Sequence, residues 1–198
     1  MEYFEILVVP FLMLIDYFLT IYSNKLRFKG YSKHFVLNNY ELNPIWVKDV
    51  NNSKLLNIKH LSLVFLACVF LFYLYHAEKG SNFYKLIYGA VLMNFILVNS
   101  RHISNILIFR FIQNNPDEIK GQIKISERYT YTISAIQYLS CAIVVVPLAL
   151  ISSSFYVYGG LIGCLFLTAI QILWFRKLKK KREKMSNQGS QRTPDVGA

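Results

Sequence analysis

Hydrophobic residues along this chain form five blocks, separated by shorter polar segments. A helix needs about 20 residues to cross the ~30 Å hydrocarbon layer of a bilayer, and the blocks have about that length or more. We therefore predict an all-α fold, a polytopic transmembrane helix bundle of about five spans within residues 1–184. The predicted spans are residues 6–22, 58–76, 84–110, 130–151 and 156–175.

Three segments add detail to this pattern. Asn43-Pro44 is typical of a helix start, so we expect a short interfacial helix over residues 44–50, with Trp46 at headgroup level. The third block is longer than one crossing needs, and its helix is expected to tilt, kink or extend beyond the membrane. Residues 185–198 lack hydrophobic periodicity and are predicted to form a disordered cytosolic tail.

The positions of the charged residues predict an orientation. The 22 Lys and Arg residues lie mainly between the hydrophobic blocks. Because Lys and Arg in short loops stay on the cytosolic side, the basic run after Phe175 predicts a cytosolic C-terminus, and an odd number of spans then leaves the N-terminus outside. We expect an integral protein of the cell (plasma) membrane. The same basic run should attract anionic lipid headgroups by ~1 kcal/mol per charge.

Other classes of protein fit the sequence less well. The formal net charge of +11 does not indicate a nucleic-acid partner, because no aromatic residues or motif accompany the basic run. Cys68, Cys141 and Cys164 fall inside hydrophobic blocks, without a CxxC pair or a nearby His at metal-ligand spacing. We therefore predict neither a metal site nor a disulfide, and the sequence leaves any cofactor open.

Polar residues inside the blocks are candidate functional residues, because an ionisable group near the bilayer centre costs at least ~2.5 kcal/mol. Asp16 lies in the first block, with Thr20 one helical turn away on the same face. Both lie towards the predicted cytosolic half, at a depth where Asp16 can form an ion pair with Arg101. The third block carries a polar stripe at helical spacing, formed by Asn94, Arg101 and Asn105 with His102 at its edge.

A loop that folds back from the cytosolic side would bring Glu41 and Asn43 to this stripe. The sequence thus predicts a polar cavity open to the cytosol or the inner leaflet, with Lys59 and His60 close to it in depth. The candidate catalytic residues are Asp16, Glu41 and His102. The candidate substrate-binding residues are Thr20, Asn43, Asn99, Arg101 and Asn105.

Each candidate also has a purely structural interpretation. Asp16 and Arg101 can pair only to be buried together, and Arg101 can instead extend to the lipid phosphates. Glu41 and Asn43 can serve as a helix cap, and His102 can be an interior histidine with satisfied hydrogen bonds.

Two further stripes favour helix packing over a transport path. Gly159 and Gly163 form a GxxxG pair, which lets backbones approach closely, and an oligomer through this face is one alternative. One face of the fourth span carries small or polar residues, namely Thr130, Ser134, Gln137 and Cys141.

The first quarter of the chain resembles a known pattern. Asp16-x-x-x-Thr20 in a first span, followed by Glu41-Leu-Asn43-Pro44, is similar to small uncharacterised prokaryotic multipass membrane proteins with an Asp helix and a Glu-x-Asn-Pro element. The resemblance implies that these residues form one unit and implies no activity.

Two function classes follow from the sequence. The first is a polytopic protein whose inner-leaflet site binds or modifies a small or lipid-like substrate; in a carrier of a solute or a proton, Asp16 and His102 would be the titrating groups. The second is an interaction or assembly subunit without catalysis, whose buried polar groups only fix helix register. The sequence does not decide between them.

Overall fold

The computed structural model describes residues 4–37, 43, 45–52, 54–78 and 80–190. Five long helices dominate this part of the chain and confirm the all-α bundle. In chain order the elements are α1 (Phe4–Arg27), α2 (Tyr31–His34), β1 (Phe35–Val36), α3 (Val47–Asn51), α4 (Ile58–Ala77), α5 (Asn82–Asn114), β2 (Ile123–Lys124), α6 (Glu127–Ser152) and α7 (Phe155–Ser190). The two short strands pair in parallel, with Phe35 opposite Ile123.

The long helices α1, α4, α5, α6 and α7 contain the five predicted spans. Each is long and apolar enough to cross a membrane, and at most 39% of its most apolar stretch is buried inside the protein. Large apolar side chains point outwards instead, as shown by Phe65 and Leu150, which are 68% and 73% exposed. Exposed apolar surface of this extent is stable in lipid and costly in water. The chain is therefore a multipass integral membrane protein.

Side-chain caps mark where α4 and α5 begin. Asn57 accepts a hydrogen bond from Lys59 N at the start of α4, and Ser81 accepts one from Tyr84 N at the start of α5. These bonds satisfy amide groups that a helix leaves unpaired in its first turn. Ser153 ends α6 in the left-handed conformation, at φ 47°.

The helices differ from the predicted spans mainly at their polar ends. At 1.5 Å per residue, the 33 residues of α5 extend for about 50 Å, so this helix continues beyond a ~30 Å hydrocarbon layer, which was one of the expected outcomes. α7 continues through the basic run to Ser190, and therefore enters the segment 185–198 for which the sequence predicts disorder. Residues 191–198 lie outside the described residues.

A short helix is present where the sequence predicts an interfacial one, and it is shorter than expected. α3 begins at Val47, and Pro44 lies outside the described residues. Asn43 still starts the turn: its side-chain oxygen accepts a hydrogen bond from Ile45 N at 3.1 Å, and its backbone oxygen accepts one from Val47 N at 3.2 Å.

Close packing of α5 against α7 forms the middle of the bundle. α1 packs on the other side of α5, α4 packs on α1, and α6 packs on α7. A Cβ atom added to Gly159 would collide with the carbonyl oxygen of Leu86, and one added to Gly163 would lie 2.6 Å from that of Ala90. The two glycines that predicted a helix contact thus meet α5 of the same chain. An oligomer through this face would have to displace α5.

The bundle has two chemically different ends. At the end where α1, α5 and α7 begin, the Glu5 side chain accepts hydrogen bonds from the hydroxyls of Tyr84 and Tyr156, at 3.3 and 3.4 Å. The Tyr88 hydroxyl donates to the Glu5 backbone oxygen at 2.8 Å. We call this the glutamate end. The opposite end, where α1, α5 and α7 finish and α4 and α6 begin, carries most of the cations and is called the basic end.

A candidate polar cavity in the basic half of the bundle

A cavity of about 350 Å³ lies between α1, α4, α5 and α7, in the half of the bundle nearer the basic end. We call it the central cavity. α6 contributes Tyr138, and the segment around α3 covers the cavity at the basic end. The lining side chains that carry a polar atom are Asp16, Tyr17, Thr20, Asn43, Trp46, His60, Asn94, Arg101, His102, Tyr138, Gln171 and Trp174.

Asp16, Thr20 and His102 form a buried polar contact between α1 and α5. The Thr20 hydroxyl donates to the backbone oxygen of Asp16 at 2.8 Å, so its single proton is used within α1. His102 Nε2 lies 3.0 Å from the same hydroxyl oxygen and must therefore be the donor in that bond. Asp16 Oδ1 lies 3.2 Å from Nε2. The ring thus carries a proton on Nε2.

Three aromatic rings form the side of the cavity nearest the basic end. The rings of Tyr17 and His60 stack with centroids 4.5 Å apart, and Trp46 meets His60 edge-on at 5.9 Å. The Tyr17 hydroxyl donates to the backbone oxygen of Lys54. α3 is held over this side by Asn24, whose side-chain amide donates to Val50 O at 3.1 Å.

Arg101 lies at the border between the central cavity and a second one. Its Nη1 donates to Ser134 Oγ on α6 at 3.3 Å. The second cavity, about 370 Å³, lies between α5 and α6 and is called the α5–α6 groove. Tyr31 lines this groove outside the spans. Burial raises the pKa of its hydroxyl, and the opposing effect of the nearby Arg27 charge is smaller.

The stripe on α6 faces the α5–α6 groove. The sequence favoured helix packing for these side chains. In the structure they line the groove, and Ser134 and Cys141 also take part in contacts with neighbouring helices. The stripe consists of Thr130, Ser134, Gln137 and Cys141.

The structure brings five of the eight predicted site residues to the central cavity, namely Asp16, Thr20, Asn43, Arg101 and His102. Asn99 is buried elsewhere and donates to Leu12 O at 3.0 Å, which ties α5 to α1. Asn105 lines the α5–α6 groove. Glu41 lies outside the described residues, and its predicted role stays a prediction.

Two functional candidates come from α7, which the sequence-based site did not include. Gln171 is only 4% exposed and Trp174 lies one turn further along the same helix face. Gln171 is the one amide within residues 156–175, and this exception to an apolar block was the available signal. Both tryptophans of the chain, Trp46 and Trp174, line the central cavity, so their fluorescence can be used as a probe of it.

Three residues that line the central cavity each carry a buried acceptor atom without a hydrogen-bond donor among the described residues: Asp16 Oδ1, Asn94 Oδ1 and Gln171 Oε1. Asp16 Oδ1 is near Nε2 of His102 without receiving its hydrogen bond. An acceptor buried in this way costs about 1–3 kcal/mol. Such atoms are not confined to this cavity, since Asn24 Oδ1 and Asn99 Oδ1 are buried in the same way outside it.

Comparison with known proteins adds no family. No family model, no curated protein and no solved structure matches this chain. Within the described residues, no group of three or more His, Cys, Asp and Glu side chains is placed to hold a metal ion. The lining residues of the cavity are therefore the basis for its proposed function.

Proposed function

We propose that this membrane protein binds a small or lipid-like substrate in the central cavity. The observation that carries the proposal is the cavity itself, which is lined by polar side chains from α1, α5 and α7 and is large enough for a headgroup or a small solute. Polar cavities of this size inside a protein commonly hold a ligand or water.

The lining of the cavity favours an amphiphile over a purely polar solute. Polar side chains of α1, α5 and α7 share the cavity with apolar ones from the same helices and from α4. A ligand with a polar head and a hydrocarbon part satisfies both kinds of surface. The apolar lining includes Met13, Leu63, Phe95, Val98, Leu167 and Ile170.

The basic end is proposed to be cytosolic, so that the cavity serves the inner leaflet. The support is the concentration of Lys and Arg there. In a chain whose three cysteines have been replaced, Glu78→Cys and Gln122→Cys place one thiol at each end. An impermeant reagent added to intact cells should label only Glu78→Cys. Labelling of both positions, or only of Gln122→Cys, would overturn the orientation.

Tryptophan fluorescence tests the binding proposal. Purified protein in mild detergent is titrated with dihexanoyl phospholipids, and a saturable change in emission is expected because both tryptophans line the cavity. Val98→Phe fills the cavity and should abolish the change. Ile108→Phe, which adds a ring to the α5–α6 groove from the same helix, should preserve it. No saturable change with any lipid, or equal loss in both variants, would contradict the proposal.

A second candidate, a carrier of protons, rests on the contact between Asp16 and His102 across α1 and α5. Paired titrating groups inside a span are typical of proton relays. Proteoliposomes with a trapped pH dye should then show an acid-driven flux that His102→Gln abolishes. Dye traces identical to those of empty vesicles would remove this candidate.

The assembly alternative is left without the face that suggested it, because α5 covers Gly159 and Gly163.

A further inference from the structure

The helices α5 and α6 diverge in the basic half of the bundle. Both pack on α7, whereas they have little contact with each other. The gap is closed towards the glutamate end, where Leu97 and Cys141 pack against a buried cluster that includes Cys164 of α7. None of the described residues of α1, α4 or α7 lines the α5–α6 groove, so the groove lies on the outside of the bundle and opens to lipid.

The α5–α6 groove covers the depth of one leaflet. From Leu97 to Phe109 it follows α5 for about 18 Å, at about 1.5 Å per residue. Half of the ~30 Å hydrocarbon layer is ~15 Å. A molecule in the leaflet at the basic end therefore meets the groove at every depth between the headgroup level and the bilayer centre.

The deeper part of the groove is polar, although it lies within the predicted spans. Ser100 and Ser104 of α5 and Gln137 of α6 line it, and all three residues are exposed. Exposed polar side chains are costly beside hydrocarbon, which offers them no hydrogen bonds. The groove thus provides polar contacts for a headgroup at a depth where the lipid itself provides none.

The groove and the central cavity meet at two shared side chains. Arg101 and Tyr138 line both of them. Across the gap between α5 and α6, Arg101 Nη1 donates to Ser134 Oγ at 3.3 Å, and Tyr138 is only 3% exposed. Side chains therefore separate the two spaces, and side chains change rotamer faster than helices move apart.

We infer that the α5–α6 groove is the entrance to the central cavity for a lipid of the leaflet at the basic end, and that the contact between Arg101 and Ser134 is the barrier on this path. The inference rests on the proposed function of the cavity and adds the source of its ligand. The headgroup moves along the polar lining of the groove while the hydrocarbon chains stay in the bilayer, so neither part leaves a favourable environment.

Two other sides of the central cavity suit a headgroup less well. Among the described residues, α3 covers the basic end, where the Asn24 side chain donates to Val50 O at 3.1 Å. On the side of α4 and α7 the lining includes Leu63, Leu167 and Ile170. These apolar side chains would remove water from a headgroup without replacing its hydrogen bonds.

Rates of binding test the entrance separately from the cavity. Tryptophan emission is followed after rapid mixing of the protein in mild detergent with dihexanoyl phosphatidylcholine or phosphatidylglycerol, and after dilution of the complex. Ile108→Phe narrows the groove and should slow association and dissociation alike, by about tenfold, at an unchanged midpoint, because a barrier on the path changes both rates by one factor. Ile103→Phe is the matched control. Ile103 and Ile108 are both 49% exposed on α5, and Ile103 lines neither cavity.

A second pair of variants tests the barrier in the opposite direction. Ser134→Ala removes the acceptor of Arg101 Nη1 and should raise both rates by about threefold or more. Ser140→Ala makes the same change at an exposed position of α6 that lines neither cavity, and it should leave the rates unchanged. This pair decides the question if Ile108→Phe melts lower than Ile103→Phe.

The possible failures are distinguishable. Equal rates for Ile108→Phe and Ile103→Phe at an intact midpoint would overturn the entrance and leave the binding cavity in place. Equal rates for Ser134→Ala and Ser140→Ala would overturn the assigned barrier. Glycerophosphocholine, a headgroup without chains, should give no saturable change; if it binds and Ile108→Phe slows it equally, the source is water and not the leaflet. No saturable change with either lipid would overturn the proposed function as well.

Discussion

Adjacent glycines of α7 provide a sharp test of how the bundle is held together. A methyl group on Gly159 would collide with the backbone oxygen of Leu86, which is fixed in α5 and cannot rotate away as a side chain can. A methyl group on Gly160 would meet only the end of the Met93 side chain, at 3.2 Å, and a methionine moves easily. Gly159→Ala and Gly160→Ala are therefore the same substitution in one helix, at two positions with different neighbours.

The expected difference follows from two opposing terms. Alanine favours a helix over glycine by about 1 kcal/mol, and this gain applies to both variants. At Gly159 the helices must separate, and inserting an extra methyl group into a close contact costs about 1–3 kcal/mol, occasionally more. Gly160→Ala should leave the free energy of unfolding unchanged or raise it. The free energy of unfolding of Gly159→Ala should be lower than that of Gly160→Ala by about 2 kcal/mol or more.

The assay is thermal unfolding of both variants in the same mild detergent, followed by circular dichroism, with the mass of the protein–detergent complex measured beside it. The Gly159→Ala protein should melt lower at an unchanged number of chains. Equal midpoints would refute the assigned contact with α5. A change in the number of chains specific to Gly159→Ala would show instead that this face meets another copy.

Two other predictions concern the central cavity. Thr20→Val removes the acceptor of the Nε2 proton of His102 and should cost about 1–2 kcal/mol, because Asp16 Oδ1 at 3.2 Å can turn to replace it. A double-mutant cycle with Asp16→Asn should then show a coupling of about 0.5–3 kcal/mol, and strict additivity would contradict the shared proton. Gln171→Leu removes a buried unpaired acceptor and should raise the unfolding midpoint of ligand-free protein, whereas Gln137→Leu should not; a lower midpoint for Gln171→Leu would show that its side chain is satisfied.

The sequence predicted the helices better than their ends. The length of a hydrophobic block predicts the part of a helix that lies in lipid. All five predicted spans lie inside the observed helices. Hydropathy cannot show where a helix stops in water, because Lys and Glu are good helix formers. α7 accordingly continues past the span, with Lys179 and Glu183 one turn apart at 3.9 Å.

The site was predicted only in its depth. Residue counting placed Asp16 and the turn at Arg101 at one level, and in the structure both line the central cavity. Residue spacing within a helix does not show which side of that helix faces its neighbour. The sequence therefore suggested that Arg101 lies beside Asp16. The structure places His102 there, and Arg101 reaches Ser134 on α6. A contact between helices far apart in the sequence has no local signal.

The size of the residues along α7 explains why a cavity exists at the basic half. Near the glutamate end, Gly159 and Gly163 bring the backbones of α5 and α7 into contact. Further along, α7 carries Gln171 and Trp174, and the ring of Trp174 lies 6.0 Å from that of Tyr131 on α6. Small residues at one end and large ones at the other make helices diverge, since side-chain size sets the distance between helix axes. The contact that tightens the bundle at one end therefore leaves the opening at the other.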